Sequence, residues 1–435
     1  DHSDTNAPIQ RVMTSHEFDT AIFDDSSDED SLDHYISLDP NHVSDQSTGS
    51  SSQTMTLRRS DRSNRGIPAT RYENLMMQSI EEFDDDEPRS LDVAFQSPEG
   101  AKWIDAAKTE FSALDRTGTL KPITPEVRDM LERGELKVHG TRAVLKRKRD
   151  ADGRVTRYKV RLVVQGYSMR SDVDYGETYA PCARLNTIRL LISLAVQYGW
   201  DVTYGDVPNA YLNGKCTRVV LVNVPHKWNE IMGNELGQDG TPCIMEKSLY
   251  GSPESGRCWN NVLNEFFIEQ EYERVIVEPC LYYKRSDNGL ALYGVWVDDI
   301  FQTGDDRDEL TRMTRALQNR FQLKMLGKIS YALGISFKWT DNGCFMSQSL
   351  YIDSIIKKFR MENCNPSHLP MQPGTKVKGR DADPLPSNVP YRSAIGSLLY
   401  LATCTRPDIA FAVCALARYV QQPLNSHWTA VKRVI

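Results

Sequence analysis

The heptapeptide Gly-Val-Trp-Val-Asp-Asp-Ile at residues 294–300 places two adjacent carboxylates among apolar, β-branched and aromatic side chains. Together with the apolar run at residues 290–293, it predicts a buried strand, a tight turn carrying Asp298 and Asp299, and a second strand from Ile300. Burying two adjacent carboxylates in an apolar hairpin is costly unless a cation or strong donors compensate. Because hard oxygen ligands suit magnesium, the stretch predicts a divalent-metal site.

A third carboxylate, Asp206, ends an apolar stretch that begins at Val202. Val202, Tyr204 and Asp206 alternate along the chain, so they would share one face of a strand, with the carboxylate projecting where the strand ends. Three carboxylates presented by two apolar strands favour a two-metal site for phosphoryl transfer. Two Mg²⁺ ions are the expected cofactors, and Mn²⁺ could replace them.

Two sequence boxes carry a family resemblance. Trp-Val-Asp-Asp at residues 296–299 resembles the Tyr-Val-Asp-Asp box of reverse transcriptases. Asp-Val-Pro-Asn-Ala-Tyr-Leu-Asn-Gly at residues 206–214 resembles the Asp-Val-x-x-Ala-Phe-Leu-Asn-Gly box of the Ty1/copia type, and further boxes follow in family order from about Trp103 to Ile435. The resemblance implies an α+β right-hand polymerase fold with fingers, palm and thumb. It also implies an RNA-directed DNA polymerase, a nucleotidyltransferase within a retrotransposon polyprotein.

The resemblance implies roles for the acidic residues. Asp206, Asp298 and Asp299 would be catalytic and would hold the two metal ions, and the backbone carbonyl of Val207 would add a ligand. In related enzymes the second aspartate of the turn binds metal less directly, so Asp299 is expected to matter less than Asp298. One ion would lower the pKa of the primer 3′-hydroxyl, and the other would steady the leaving pyrophosphate.

The resemblance also implies where the sugar and the primer lie. Tyr211, which follows Ala210 in the nucleotide site, would press a flat ring against the sugar and exclude a 2′-hydroxyl; an ordinary core tyrosine is the alternative. Trp296 would lie beside the primer end, keeping the aromatic body but not the hydroxyl of the family's tyrosine. Further primer or template contacts are expected at Val297, Leu326, Gly327 and Arg257.

Residues 136–168 predict a strongly basic β-hairpin that turns at residues 150–153. The basic side suits triphosphate and template phosphates, and a merely solvated face is the alternative. The sequence Tyr-Lys-Val-Arg-Leu-Val-Val-Gln-Gly at residues 158–166 resembles the family's box in the fingers. The resemblance implies that Lys159 or Arg161 contacts the incoming nucleotide, without deciding between them.

The chain of 435 residues begins with Asp1 rather than Met, so a fragment of a longer polyprotein is expected. Residues 1–88 lack apolar periodicity, are rich in Ser, Asp and Thr, and are predicted to be disordered. The resemblance implies fingers, palm and thumb at residues 97–362, a Pro-rich loop at residues 363–390 and a helical connection at residues 391–435. That connection would lead to a missing ribonuclease H domain, so ribonuclease H and integrase modules are the expected polyprotein partners.

The net charge of −7 conceals an uneven distribution. Acidic runs concentrate before residue 90, and positive charge concentrates between Lys137 and Arg170, which suits an RNA template, a DNA primer and dNTPs. The basic segment at residues 57–68 resembles the stretch that precedes the polymerase in copia-type polyproteins. A solvated linker and a nuclear-targeting or nucleic-acid role both remain open for it.

The composition also limits the cellular compartments in which the protein is expected. The nine cysteines are scattered without a Cys-x-x-Cys pair, which disfavours a zinc knuckle or a disulfide framework and favours reduced thiols. No signal peptide or membrane-spanning run is found, so no membrane partner is expected. The expected location is intracellular, in a cytoplasmic particle, in the nucleus or in both.

One box departs from the family pattern. At residues 252–256 the family's Lys and Gln are replaced by Pro253 and Glu254, and Glu254 is expected to repel nucleic acid. This departure keeps open the alternative of a catalytically decayed retrotransposon remnant that retains the fold, with or without nucleic-acid binding. A different magnesium-dependent phosphotransferase is a third hypothesis, which leaves the ordered set of boxes unexplained.

Helical patterns give three further predictions. Ser97, which precedes a proline, is predicted to cap the first helix of the folded part. On the last helices, Leu398, Leu401 and Phe411 are expected to be exposed and to need the missing domain. His427 is interpreted as a packing or capping residue rather than a metal ligand.

Overall fold

The computed structural model describes residues 87–149, 154–233, 235–372, 374 and 383–435. The predicted disordered segment, residues 1–88, lies outside these ranges except for its last two residues, and so does the basic segment at residues 57–68. The Pro-rich stretch at residues 363–390 is described in part and contains turns and one isolated bridge, between Pro384 and Leu424. In the described residues, no helix has both the length and the apolar character needed to cross a bilayer.

Helices and strands both occur throughout the described chain, as the α+β prediction requires. The helices are α1 (Leu91–Gln96), α2 (Gly100–Arg116), α3 (Pro125–Glu132), α4 (Leu185–Tyr198), α5 (Trp228–Met232), α6 (Ser255–Glu269), α7 (Arg307–Phe321), α8 (Ser349–Lys358), α9 (Tyr391–Cys404), α10 (Ala410–Ala417) and α11 (Asn425–Val434). The strands are β1 (Leu120–Pro122), β2 (Val138–His139), β3 (Thr141–Arg149), β4 (Val155–Val164), β5 (Thr203–Asp206), β6 (Leu221–Asn223), β7 (Pro242–Met245), β8 (Glu273–Arg274), β9 (Leu281–Ser286), β10 (Gly289–Trp296), β11 (Asp299–Gly304), β12 (Lys324–Lys328), β13 (Tyr331–Ala332), β14 (Ile335–Thr340) and β15 (Gly343–Ser347).

A six-stranded antiparallel sheet, in the order β12-β5-β11-β10-β9-β8, holds the acidic residues. Strand β10 is buried from Leu290 to Val295, which explains its continuous apolar run. Helix α4 packs on this sheet because Gly294 leaves room: a Cβ there would lie 2.8 Å from Leu191 Cδ1. Aromatic side chains of α6 and α7 pack with the sheet in one core, each buried side chain contributing about 1.5–3 kcal/mol.

A second core joins α2 to the basic hairpin and to the four-stranded sheet β1-β7-β6-β2. Strands β3 and β4 form the predicted hairpin, and its turn lies outside the described residues. The predicted helix cap at Ser97 is wrong. Ser97 ends α1 instead, donating its hydroxyl to the carbonyl of Ala94 at 2.6 Å, and α2 begins at Gly100. The six-residue helix α1 is too short to show helical periodicity, which is why the sequence did not reveal it.

The C-terminal region contains the three-stranded sheet β13-β14-β15 and helices α8 to α11. The prediction that its apolar residues are exposed holds for Phe411, which is 79% exposed, but is wrong for Leu398 and Leu401, which are 1% and 5% exposed. Both leucines are covered by neighbouring helices of the same chain. His427 is buried and accepts the Leu424 amide proton at Nδ1 over 3.1 Å, which is a capping contact.

Candidate functional site

The acidic turn is a two-residue hairpin connection. Strand β10 ends at Trp296 and β11 begins at Asp299, so Val297 and Asp298 form the turn. Val297 has φ of 56°, in the left-handed region that a β-branched residue rarely adopts. Such backbone strain costs about 1–3 kcal/mol and persists only where surrounding contacts enforce it.

Strand register brings the third carboxylate to the turn. Asp206 is the Cα partner of Asp299 in the antiparallel β5–β11 pair, so both side chains project from the same face. The amide of Val207 donates to the carbonyl oxygen of Asp298 at 2.9 Å. On the other side of β5, Asp206 is paired with the exposed Lys324. Asp206, Asp298 and Asp299 therefore lie together at one end of the sheet.

The three carboxylates form an electrostatically unfavourable group on their own. Burial, followed by the charges of Asp298 and Asp206, raises the pKa of Asp299 to about 7. Burial and then the charge of Asp206 raise the pKa of Asp298. A raised carboxyl pKa means that the ionised form lacks compensation, which a nearby cation would supply.

The three carboxylates are the type of ligand that a divalent cation prefers, but their side chains are not arranged around a common metal position. Carboxylates and backbone carbonyls are the oxygen ligands that Mg²⁺ prefers, and crowded carboxylates with raised pKa values gain most from a cation. In the described part of the chain, however, no three His, Cys, Asp or Glu side chains are arranged to hold a metal ion as they stand. The residues thus supply suitable ligands, and their side chains would have to turn toward a shared ion.

The basic hairpin faces this group. Lys159 and Arg161 lie two positions apart on β4 and so share one face of the strand. Both positive charges act to lower the pKa of Asp298. The Arg161 guanidinium lies 4.9 Å from the ring centroid of Tyr250, a cation–π distance. Burial, and next the charge of Arg161, lowers the pKa of Lys159. Both candidate nucleotide contacts therefore lie near the acidic turn, and the geometry does not separate their roles.

The 3₁₀ helix Ala210–Asn213 carries the predicted sugar contact. Its Tyr211 is partly buried, and the ring packs against Tyr250 with centroids 4.8 Å apart at an angle of 55°. Tyr250 lies in turn beneath Arg161. The aromatic pair connects the 3₁₀ helix to the basic hairpin, so Tyr211 and Arg161 border the same region, while Ala210 is buried.

The predicted primer and template contacts are spread more widely. Trp296 is partly buried beside the turn, and Leu326 is 54% exposed on β12, the strand that pairs with β5. Gly327, with φ of 83°, lies at the irregularity in that pairing. Arg257 forms an ion pair with Glu177 at 2.6 Å, so its guanidinium already has a partner within the chain.

The expected repulsion between Glu254 and nucleic acid is wrong because its side chain points inward. Glu254 is 0% exposed. Its Oε1 accepts the Thr217 amide proton at 3.2 Å, and its Oε2 accepts the Thr217 hydroxyl proton at 2.6 Å. The carboxylate joins the start of α6 to the loop after the 3₁₀ helix. Glu254 of the altered box therefore makes an internal structural contact.

Replacing Glu254 tests this internal role. Glu254→Ala leaves the Thr217 amide and hydroxyl without acceptors and is expected to lower the free energy of unfolding by about 1–3 kcal/mol. Glu254→Gln keeps an acceptor oxygen and should lose clearly less. Urea denaturation measures both. Equal stability of Glu254→Ala and the wild type would contradict the inward orientation.

Glu110 is a residue that the sequence reasoning missed. It lies on α2, is 6% exposed and accepts the Leu162 amide proton at 3.0 Å. Burial raises its pKa, against the opposing effects of the Leu162 hydrogen bond and of Lys159 and Arg161. A signal was present: the apolar helical face of α2 contains this one glutamate, immediately before Phe111.

The raised pKa of Glu110 predicts a pH-dependent stability. An acid whose folded pKa exceeds its unfolded value of 4.5 binds its proton more tightly when folded, so its stabilising contribution is lost as pH rises through the folded pKa. Glu110→Gln removes this dependence and keeps an acceptor for Leu162. The Tm of the variant should therefore rise relative to that of the wild type as the pH increases above 4.5, and this rise is measured against the exposed-site control Glu265→Gln. A constant difference across pH would refute the assignment.

The amino-acid sequence is similar to a known protein family and to curated proteins. The family model described as "Reverse transcriptase (RNA-dependent DNA polymerase)" matches residues 131–373. The Retrovirus-related Pol polyprotein from transposon TNT 1-94 of Nicotiana tabacum is 31% identical over 395 residues, which are 88% of this chain and 28% of the relative. That from transposon RE2 of Arabidopsis thaliana is 31% identical over 351 residues, 80% of this chain and 23% of the relative. The chain thus spans about a quarter of the length of these relatives.

Proposed function

The chain belongs to the reverse transcriptase (RNA-dependent DNA polymerase) family of copia-type transposons, and on that premise we propose that it is the RNA-directed DNA polymerase segment of a Pol polyprotein. It would add dNTPs to a DNA primer on an RNA template. The observation that carries the proposal is the convergence of Asp206, Asp298 and Asp299 opposite Lys159 and Arg161. Ribonuclease H and integrase modules would be partners in the longer polyprotein.

The proposal includes a right-hand arrangement. The six-stranded sheet with the acidic turn would be the palm, and the basic hairpin with its supporting sheet would be the fingers. The segment that begins with β15 and α8 would start the thumb, and α9 to α11 would form the connection. The position of the acidic turn in the six-stranded sheet and the family membership support this proposal.

Asp206, Asp298 and Asp299, with the Val207 carbonyl, would hold two Mg²⁺ ions, and Mn²⁺ could replace them. When bound, the ions would lower the pKa of the primer 3′-hydroxyl and neutralise charge on the leaving pyrophosphate. Burial, and next the charge of Asp206, raises the pKa of Asp298, so its ionised carboxylate would be stabilised by a bound cation.

The remaining residues would bind and orient the substrates. Lys159 and Arg161 would attract the triphosphate, since both already act electrostatically on Asp298. Tyr211, held against Tyr250, would close the space that a 2′-hydroxyl needs. Trp296, Val297, Leu326 and Gly327 would support the primer, and Arg257 would reach the template only by exchanging its ion pair with Glu177.

Primer extension by the full chain tests this function. The 435-residue protein is incubated with a primed RNA template, four dNTPs and MgCl₂, and products are resolved on a sequencing gel. Template-directed extension is expected. A folded protein that binds the primed template without extending it would instead indicate the remnant alternative. The inward orientation of Glu254 removes the main sequence feature that had suggested decay.

A further inference from the structure

The strained turn needs a contact that holds it. Val297 occupies the first position of the two-residue turn at φ of 56°, a conformation that favours glycine over a β-branched residue. Without support, Val297 would relax toward negative φ and would carry Asp298 with it. Two backbone carbonyl groups bear on the orientation of Asp298. The Val207 amide donates to the carbonyl oxygen of Asp298 itself at 2.9 Å. The carbonyl group of Val297 is the other, because Val297 and Asp298 share that peptide unit.

Trp259 supplies such a contact from α6. Its indole Nε1–H donates to the carbonyl oxygen of Val297 at 2.7 Å. The side chain is 2% exposed, and its ring packs edge-to-face on Phe321 of α7, with centroids 5.2 Å apart at 89°. An indole fixed in this way cannot follow a relaxing turn without losing core packing, so it acts as a rigid donor.

The helix that carries Trp259 is itself tied to two other segments. Glu254 at its start binds the Thr217 loop through both carboxylate oxygens. One turn of helix later, Arg257 pairs with Glu177 at 2.6 Å. The buried Glu254 contacts limit rotation and sliding of α6 at its start, whereas the Arg257 pair, whose Glu177 partner is largely exposed, adds little. The start of the helix that carries the indole N–H is therefore held in place relative to the Thr217 loop.

We infer that Trp259 is a positioning residue for nucleotidyl transfer, acting on Asp298 through the Val297 carbonyl. The expected effect on kinetics rests on the proposed polymerase function. The hydrogen bond from Trp259 to the turn, in contrast, is a property of the folded chain alone. Because the indole touches neither nucleotide nor primer in this role, its loss should slow the chemical step and leave nucleotide binding nearly unchanged.

The decisive variant is Trp259→Phe, which keeps an aromatic ring and removes the donor. We expect kcat for single-dNTP incorporation to fall about tenfold, equivalent to about 1.4 kcal/mol, while KM for dNTP stays within about twofold. Hydrogen exchange should become faster in the peptide that spans residues 294–301 and remain unchanged in the other strands of the sheet. Phe321→Leu removes the edge-to-face ring contact with Trp259 but keeps the indole donor, and it should reduce kcat about threefold. This variant replaces Trp259→Phe as the test if Trp259→Phe does not fold.

The matched control is Trp103→Phe. Trp103 is also fully buried, but its indole N–H has no hydrogen-bond partner in the described part of the chain. An equal loss of kcat in both tryptophan variants would reduce the effect to general packing and would overturn the inference, as would unchanged kcat and exchange in Trp259→Phe. If the folded wild type binds the primed template but does not extend it, the proposed function is refuted, and hydrogen exchange alone tests whether Trp259 supports the turn. Faster exchange that is confined to the turn in Trp259→Phe would sustain the inference, and uniform or unchanged exchange would overturn it.

A double variant adds an independent check. Glycine tolerates φ near 56° without strain, so Val297→Gly should make the turn less dependent on the indole. In the wild-type background Trp259→Phe is expected to reduce kcat about tenfold. In the Val297→Gly background the same substitution is expected to reduce kcat by a factor about threefold smaller. Equal losses in both backgrounds would contradict a role that acts through the strained carbonyl.

Discussion

Asp298→Asn is expected to reduce the rate of dNTP incorporation by about a thousandfold, equivalent to about 4 kcal/mol of transition-state stabilisation. The amide keeps the volume and one oxygen of the side chain but removes the negative charge that a divalent ion needs. Burial and the charge of Asp206 raise the pKa of Asp298, so the substitution should not weaken folding. Single-turnover extension of a primed RNA template, with thermal unfolding alongside, measures both effects.

Two further aspartate variants calibrate that result. Asp299→Asn should also slow incorporation, but less severely, if Asp299 binds metal less directly than Asp298. Asp341→Asn, on the exposed turn between β14 and β15, should extend at the wild-type rate. Wild-type incorporation by Asp298→Asn would exclude the acidic turn as the catalytic centre. A loss accompanied by a lower Tm would point to misfolding instead.

Tyr211→Ala is expected to increase the use of ribonucleotides relative to deoxyribonucleotides by about a hundredfold. The ring is braced by Tyr250, at a centroid distance of 4.8 Å, so it cannot easily withdraw to admit a 2′-hydroxyl. Truncation to alanine opens that space. The ratio of kcat/KM for matched ribo- and deoxyribonucleotides on the same primed template measures the change.

Tyr211→Phe is the control for the sugar contact. It keeps the ring and loses only the hydroxyl, so discrimination against ribonucleotides should remain within about threefold of the wild type. If Tyr211→Ala leaves the ratio of kcat/KM values unchanged, Tyr211 is a core residue, which was the alternative interpretation of its sequence position.

The sequence predicted the features that depend on local pattern. The acidic turn, the strand that ends at Asp206 and the basic hairpin all follow from alternation and turn residues, and register then brings Asp206 opposite Asp299. Position within the sheet could not be derived from spacing alone, because β5 lies between β11 and β12, which come much later in the chain.

The sequence was misleading where the direction of a side chain depends on a distant partner. Glu254 was expected to face nucleic acid, but Thr217 offers its amide and hydroxyl protons and draws the carboxylate inward. Leu398 and Leu401 were expected to be exposed, but other helices of the chain cover them. Glu110 and Trp259 have hydrogen-bond partners, the Leu162 amide and the Val297 carbonyl, that lie far from them in the sequence. Each outcome depends on tertiary contacts that no local pattern encodes.

The dependence of single-dNTP incorporation on free Mg²⁺ tests the central claim most directly, namely that Asp206, Asp298 and Asp299 form a divalent-metal site for DNA synthesis on RNA. With the full chain on a primed RNA template, the account predicts no incorporation in EDTA and a rate that rises more steeply than first order in Mg²⁺, as two ions require. Asp298→Asn should flatten that rise. Incorporation that persists in EDTA, or a Mg²⁺ dependence unchanged by Asp298→Asn, would contradict it.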